Sequence, residues 1–264
     1  MTLEQKLLNL KDIIRNMEKV AIGFSGGVDS TLLAKIAYDV LGDKALCITL
    51  HEALHSSEEI EESKELAKFI GLKQVIVTKN VIEQDFIKNN PYDRCYYCKS
   101  AIFSTIKEIA KEHGISYIID GSNVDDLDDY RPGMKAIKEL EVRSPLREAE
   151  LTKREIRQLS KALGLPTHAK PAFACLASRI PYNNEITLEK LRMVEEAEKF
   201  IRSKGLKQIR VRHHDEIARI EIDSIEREKL FNIELLDEIG IKLKSIGFKF
   251  VAFEAQGYKM GSLN

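Results

Sequence analysis

The chain has 264 residues, 44% hydrophobic and 31% charged. That is an ordinary globular composition, which excludes a disordered chain, and at roughly 150 residues per domain the length predicts one large domain or two unequal ones. Lys and Arg total 41 against 42 Asp and Glu, a net charge of −1, which argues against a protein whose main task is gripping nucleic acid, although a local basic patch survives that argument.

The first predicted element is a helix with Leu3, Leu7, Leu10, Ile14 and Met17 on one stripe. This charged, amphipathic start is not a secretory signal, and no apolar run approaches the roughly 20 residues that span a bilayer, so a cytoplasmic protein without membrane contact is expected. Val20-Ala21-Ile22-Gly23-Phe24 is a continuous apolar run, as a strand buried on both faces requires. A Gly/Ser turn follows, then a helix over 30–41, a strand over 45–50, a helix over 57–70 and a strand over 74–78. A helix over 99–112 and a strand over 116–120 continue the alternation. This order predicts an α/β fold, an open parallel sheet with helices on both faces. Cys47, in the apolar run of the second strand, reads as a small buried hydrophobe.

After Gly121 the pattern changes to an acidic, turn-rich stretch, 122–133, at the carboxyl end of a strand, where open α/β sheets place ligands. Asp125, Asp126, Asp128 and Asp129 there suit a metal ion, a substrate contact or local Asx turns. A helix over 151–163 has Thr152 as N-cap and Glu155 completing a capping box, and Gly164 and Pro166 close it. From about residue 187 the order is a helix (187–204), a hairpin of 208–212 and 217–222 turning through His213, His214 and Asp215, a helix (233–245) and a strand (248–253). This predicts a main domain over 1–181 and a smaller α+β domain over 182–264.

The strongest motif is Ser25-Gly26-Gly27-Val28-Asp29-Ser30, between the first strand and its helix. Tandem glycines let backbone N–H groups approach an anion, and the helix adds the positive end of its dipole. Ser25 and Ser30 offer hydroxyl donors to phosphate oxygens. Asp29 makes sense beside phosphate if it holds a bridging Mg²⁺ or fixes the loop. The loop lacks the lysine of a Walker A sequence, so the β- and γ-phosphates find no cation within it.

Cys95-Tyr96-Tyr97-Cys98 is a C-x-x-C pair, read as preceding a helix, and Cys175 lies in the later segment Leu176-Ala177-Ser178-Arg179 closes. A redox dithiol, a zinc site and an iron–sulfur cluster all use such cysteines. His51, His55 and His168 are available as a fourth zinc ligand, but no spacing singles one out. Three thiolates from two segments fit a [4Fe–4S] cluster with one iron left without a cysteine.

The glycine motif resembles the PP-loop of the ATP pyrophosphatase superfamily, whose members cleave ATP between the α- and β-phosphates and adenylate a substrate oxygen. Over nearly the whole chain the sequence is similar to LarE, the family of ATP-dependent sulfur transferases of nickel-pincer nucleotide cofactor synthesis. The residues that carry this are Phe24 through Thr31, Tyr96-Tyr97 with Lys99, and Asp120-Gly121 leading to Asp129-Tyr130-Arg131-Pro132-Gly133. Further on they are Cys175 with Ser178-Arg179 and Pro181-Tyr182, then Val211-Arg212 and Ile217-Ala218-Arg219-Ile220-Glu221.

The resemblance implies ATP, Mg²⁺ and a pyridinium biscarboxylic acid mononucleotide as ligands, with adenylated carboxylates converted to thiocarboxylates. It implies catalytic roles for Asp29, Lys99, Cys175 and Glu198. It places Ser25, Gly26, Gly27, Val28, Asp29, Ser30 and Arg131 around bound ligands, with Arg179, Arg210 and Arg212 suited to phosphate and carboxylates. Because Cys95 and Cys98 are both present, the chain resembles the branch whose cysteines, here Cys95, Cys98 and Cys175, hold a [4Fe–4S] cluster that delivers sulfide. In the other branch the cysteine matching Cys175 gives up its own sulfur. A homo-oligomer and an upstream sulfide donor are also implied. The rival expectations are a tRNA thiolase, an ammonia-using amide synthetase and an adenine-nucleotide sensor.

Overall fold

The computed structural model describes residues 1–54, 56–127, 132–171 and 175–259. In chain order the elements are α1 (Leu3–Arg15), β1 (Val20–Gly23), α2 (Val28–Leu41), β2 (Ala45–His51), α3 (Ser57–Ile70) and β3 (Lys73–Thr78). They continue with α4 (Asp85–Lys88), α5 (Arg94–Glu112), β4 (Tyr117–Ile119), α6 (Pro132–Glu139), α7 (Pro145–Glu148) and α8 (Lys153–Ala162). The last are α9 (Leu188–Ser203), β5 (Ile209–His214), β6 (Ile217–Ile222), α10 (Ile233–Ile246) and β7 (Phe250–Phe253). No helix among the described residues is long and apolar enough to cross a membrane.

The chain forms two compact units. One comprises residues 1–81 and 93–173, the other 82–92 and 174–264. The change of rhythm in the sequence falls at 182, but the compact division falls at 174, and the short segment 82–92 joins the later unit.

In the first unit the sheet order is β3-β2-β1-β4, all parallel. The strand pattern shows why both faces must be covered. Val20 and Ile22 of β1, Ala45 and Cys47 of β2 and Ile119 of β4 pack with Leu10, Ile14, Leu32, Leu33, Ile36 and Ile156 on one face. Their neighbours Ala21, Leu46, Ile48, Leu50 and Ile118 pack with Phe103, Ile106, Ile109 and Ile137 on the other. Alternate side chains thus enter two separate cores, the expected doubly covered parallel sheet. Cys47 is fully buried in the first of them, and burial pushes its thiol far above the usual range.

Three local departures from the sequence reading bear on the site. Helix α5 starts at Arg94, so Cys95 and Cys98 lie within its first two turns, not ahead of it. No side-chain bond caps that start, and Arg94 at the first position is buried. Helix α6 begins at the end of the turn-rich stretch 122–133 and runs on into residues to which the sequence reading gave no element; its proline sits at the start, and Ala136 and Ile137 bury its inner face. In the second unit His213 and His214 belong to β5, paired with Ala218 and Ile217, and the hairpin turns on Asp215 at φ 52° and Glu216.

That second unit has the sheet order β5-β6-β7, with β5 and β6 antiparallel and β7 parallel to β6. Helices α9 and α10 cover it through Ala197, Ile201, Ile239 and Leu243 against Val211, Ala218 and Ile220.

The chain passes from β1 outward through β2 and β3, then returns to add β4 on the other side of β1. The crevice at the carboxyl ends of β1 and β4 is therefore a topological switch point, the usual ligand position in open α/β sheets. Glu52, just past β2 at the same edge, is 2% exposed, and neither carboxyl oxygen has a hydrogen-bond partner among the described residues. Burial pushes its pKa up from 4.5 to about 7, against the lowering effect of the Lys79 ammonium. A raised carboxyl pKa means stability that is present below the unfolded value and lost as pH rises toward 7. Glu52→Gln is expected to change stability little at pH 4.5 and to raise it by about 2–3 kcal/mol at pH 8. Urea denaturation at the two pH values checks this; an equal gain at both would refute burial of the charge as the cause.

Candidate active site

The glycine turn continues the line of β1. The Phe24 N–H donates to the Ile48 carbonyl (3.0 Å), and the chain then turns at Gly26, whose φ of 68° glycine adopts without steric cost. Gly27 is the N-cap of α2, and no side-chain acceptor caps that helix. The first-turn N–H groups therefore face the crevice as an anion site. Ser25 Oγ and Ser30 Oγ lie 3.2 Å apart, and Ser30 Oγ also donates to the Gly27 carbonyl (3.2 Å). Val28 contributes only backbone, since its side chain packs into the core.

A cavity of about 290 Å³ opens over this turn. Ser25, Gly27, Asp29 and Ser30 line its polar end with Lys99 and Asp120, and Ile48, Leu50, Phe103 and Ile106 form apolar walls. That division suits a flat heterocycle on the apolar side and phosphate on the polar side.

The β4 loop closes on the turn through Gly121. A Cβ on Gly121 would sit 3.0 Å from the Ser30 backbone nitrogen and 3.2 Å from Asp29 Cβ, so any larger residue would require the first turn of α2 to give by a few tenths of an ångström. Asp120 beside it is buried, accepts from Ser144 Oγ (2.6 Å) and from the Ser122 hydroxyl, and lies 3.8 Å from Lys99 Nζ. Asp29 has two partners: its Oδ2 takes the Lys153 ammonium and its Oδ1 accepts from Asn123 Nδ2 (3.3 Å). Lys170 Nζ donates to the Gly26 carbonyl (3.1 Å) and pairs with Glu62.

The loop that lacks a cation in sequence is thus surrounded by Lys99, Lys153 and Lys170 from later segments. Lys153 and Lys170 had no signal in the sequence, because nothing in local spacing ties them to residues more than a hundred positions earlier. Asp125 and Asp126 turn out to brace the loop: Asp125 accepts from the Lys153 N–H (2.8 Å) and Asp126 from the Asn123 N–H (2.9 Å). Asp128, Asp129 and Arg131 lie outside the described residues.

A second constellation sits within the second unit. Arg179, 1% exposed, grips Glu198 with two parallel bonds, Nε to Oε1 at 2.8 Å and Nη2 to Oε2 at 3.0 Å. Glu198 also accepts from the Val211 N–H (3.0 Å) and from Arg202 (3.2 Å). Arg212 donates to Glu221 (2.7 Å) and to the Ser178 carbonyl (2.7 Å), and Arg219 reaches the other Glu221 oxygen (2.9 Å). Arg210, opposite Glu221 in the strand register, lies 5.2 Å over the Tyr258 ring. Its pKa is lowered, first by burial and then by the charge of Arg179.

The structure therefore brings Arg179, Glu198, Arg210 and Arg212 together and adds Glu221, which the sequence singled out only as part of a longer run. Buried guanidinium groups outnumber the carboxylates Glu198 and Glu221, which equips this cluster for an anion.

Cys175 begins the short helical turn Leu176–Arg179, and its carbonyl accepts from Arg179 (3.1 Å). Cys95 is exposed, and Cys98 and Cys175 are partly so; none forms a disulfide. Cys95 and Cys98 belong to the first unit and Cys175 to the second. Three accessible thiols are a chemically apt donor set for iron, yet among the described residues no three His, Cys, Asp or Glu side chains gather as a metal-binding group. His168 spends Nδ1 on the Leu165 carbonyl (3.0 Å), and His55 lies outside the described residues.

The NAD synthase family model matches residues 3–92. The chain is 43% identical over 262 residues to an uncharacterised protein of Synechocystis sp., covering 99% of this chain and 98% of that one. It is 36% identical over 266 residues to the pyridinium-3,5-bisthiocarboxylic acid mononucleotide synthase of Lactiplantibacillus plantarum, covering 100% and 95%. A third relative, an uncharacterised protein of Methanocaldococcus jannaschii, is 32% identical over 251 residues, covering 95% and 94%.

Glu198 gives a stability test. Burial alone raises a carboxyl pKa, but Arg179, then Arg210 and the Val211 N–H, hold Glu198 below its ordinary 4.5. The resulting stability is present above the unfolded pKa and lost as pH falls through the lowered one. Glu198→Gln leaves Arg179 buried without its counter-charge and is expected to cost about 3 kcal/mol at pH 7. Denaturant titrations should show that penalty undiminished at pH 5 and shrinking only below 4.5. A penalty already fading between pH 7 and 5 would mean that Glu198 is not held ionised.

Proposed function

The chain belongs to the LarE family, ATP-dependent sulfur transferases with a PP-loop nucleotide domain, and from that premise we propose that it converts the carboxylates of a pyridinium biscarboxylic acid mononucleotide to thiocarboxylates. The observation that carries this reading is the cavity over the glycine turn, with serine hydroxyls and uncapped helix N–H groups at one end and apolar walls at the other.

The chemistry follows from leaving groups. A carboxylate oxygen leaves poorly, so it first attacks the α-phosphorus of ATP and pyrophosphate departs. The acyl adenylate then loses AMP to a sulfur nucleophile, and breaking the remaining bond between that sulfur and its carrier leaves a thiocarboxylate. The turn residues Ser25, Gly26, Gly27 and Ser30, with the Val28 backbone, hold the departing pyrophosphate. Asp29 is the residue that would hold Mg²⁺, and Lys99 stabilises charge that develops at the transferred phosphate. Arg179, Arg210 and Arg212 bind the anionic groups of the mononucleotide, with Arg131 contributing to ligand binding. Glu198 acts through Arg179, fixing its fork, and not on the substrate itself.

Cys95, Cys98 and Cys175 are the residues that would hold a [4Fe–4S] cluster, which when bound would supply the sulfide. Cys175 is then a ligand and not a sacrificed donor. The protein is proposed to act in the cytoplasm as a homo-oligomer served by an upstream sulfide donor. An ammonia-using amide synthetase is the second reading, favoured by the NAD synthase match, but that match ends at residue 92 and leaves Cys95, Cys98 and Cys175 without a task.

Two outcomes test this. Asp29→Ala is expected to lower substrate-dependent pyrophosphate release by at least about a hundredfold while the melting temperature moves little; undiminished release removes Asp29 from the metal site. Cys95→Ala should strip iron and the associated visible absorbance from protein purified without oxygen. A variant that keeps its full iron content rules out the three-cysteine cluster. In that event, a loss of about 34 Da from the wild type after turnover, one H₂S, would mark the sacrifice of a cysteine, and its absence from a Cys175→Ala variant would assign the loss to Cys175.

A further inference from the structure

We propose that Asn90 is a positioning residue for the cysteines, the anchor that ties the chain entering the Cys95 helix to the segment leaving the Cys175 turn. This deepens the reading above and rests on Cys95, Cys98 and Cys175 acting together. Asn90 is 0% exposed and stands at φ 53°, a conformation that asparagine tolerates better than most side chains. Its side-chain amide donates to the Ile180 carbonyl (3.1 Å) and to the Pro181 carbonyl (2.7 Å), and its own carbonyl accepts from the Asn183 N–H (2.9 Å). One residue thus serves three backbone groups of a stretch that lies outside any helix or strand. Two donors on one amide meet two successive carbonyls in one register only, so this contact fixes position and not merely adhesion. Its neighbours reinforce it. The Lys88 carbonyl accepts from the Ile186 N–H (2.8 Å), Lys88 pairs with Glu185 (2.9 Å), and the Tyr92 ring centroid lies 4.5 Å from that of Tyr182.

The anchor sits at the same short chain distance from both cysteine segments. Asn90 precedes Cys95 by five residues, and Ile180 follows Cys175 by five. The path from Cys175 to the anchor is also compact, since the Ser178 N–H donates to the Cys175 carbonyl (2.9 Å) and the Ile180 N–H to the Ala177 carbonyl (3.1 Å). Through Asn90 the two cysteine segments are about ten residues apart, against about eighty along the chain. Effective concentration falls as about the −3/2 power of a flexible path, so the shortcut is worth about twentyfold in bringing the thiols to one ligand.

The test uses the full-length protein, freed of iron by a chelator and reduced under nitrogen, with arsenite and phenylarsine oxide as probes. Arsenite exchanges its oxygens for up to three thiolates and releases water. Phenylarsine oxide takes only two, so the Cys95 and Cys98 pair suffices for it. Cys47 is buried and takes no part. The wild type is expected to bind arsenite more tightly than Cys175→Ala; equal affinities would remove the three-cysteine premise, and the proposal with it. Asn90→Gly accepts the positive φ but lacks the amide. It should lose about tenfold or more in arsenite affinity, bind phenylarsine oxide like the wild type, and have no further effect when added to Cys175→Ala. Unchanged arsenite affinity overturns the proposal. So does an equal loss for both probes, or a further loss in the Cys175→Ala background, because either marks general damage to the start of α5. If circular dichroism shows that Asn90→Gly does not fold, the double variant Lys88→Met/Tyr92→Ala loosens the same segment from its exposed side. Arsenite binding alone should then weaken by about threefold or more, and no change there overturns the proposal.

Discussion

A single close approach holds the nucleotide crevice together. The backbone after β4 runs against the first turn of α2 at Gly121, where a methyl group would lie 3.0 Å from the Ser30 nitrogen. That contact fixes the distance between the two sides of the switch point. It sets Asp120 and Asn123 beside Asp29 and leaves the first-turn N–H groups aimed at open space, not at a capping side chain. The doubly covered sheet supplies the rigidity that lets so small a tolerance persist, because β1 and β4 are pinned between two packed cores.

The same geometry explains the distribution of charge. A turn tight enough to place N–H groups on an anion has no room for long side chains, so its cations must come from other elements. Lys99 arrives from α5, Lys153 from the start of α8 and Lys170 from the segment after it. Each is paired with a carboxylate or carbonyl, which offsets the repulsion that three ammonium groups near one turn would otherwise create.

What could be read from the sequence follows the range of the interactions. The parallel sheet was legible because Val20–Gly23 and Ala45–His51 are apolar on both faces, and the capping box at Thr152 announced α8. The glycine turn was legible because its chemistry is contiguous. Helix α6 was not, since Pro132 at its first position reads as a break until Ala136 and Ile137 are seen to be buried. The start of α5 was missed for a related reason: no side-chain cap marks it, and the burial of Arg94 there is a tertiary fact. Lys153 and Lys170 were invisible because their partners, Asp29 and Gly26, are far away in sequence.

The second unit poses a different physical question. Burying Arg179, Glu198, Arg212 and Glu221 removes four charges from water, and apolar side chains of similar volume would commonly serve stability as well or better. Stability alone is thus a poor reason for the cluster. Its construction points to fixed orientation instead. Glu198 is clamped by the Arg179 fork and the Val211 N–H, and Glu221 is shared by Arg212 and Arg219. Each carboxylate immobilises two or more donors at once, so an anion reaching the cluster meets guanidinium groups whose rotamer entropy has already been lost. For the substrate proposed above, with a phosphate and two carboxylates, such prior orientation would separate a reacting carboxylate from a merely bound one, and on that proposal Glu198 has a role that requires no proton transfer.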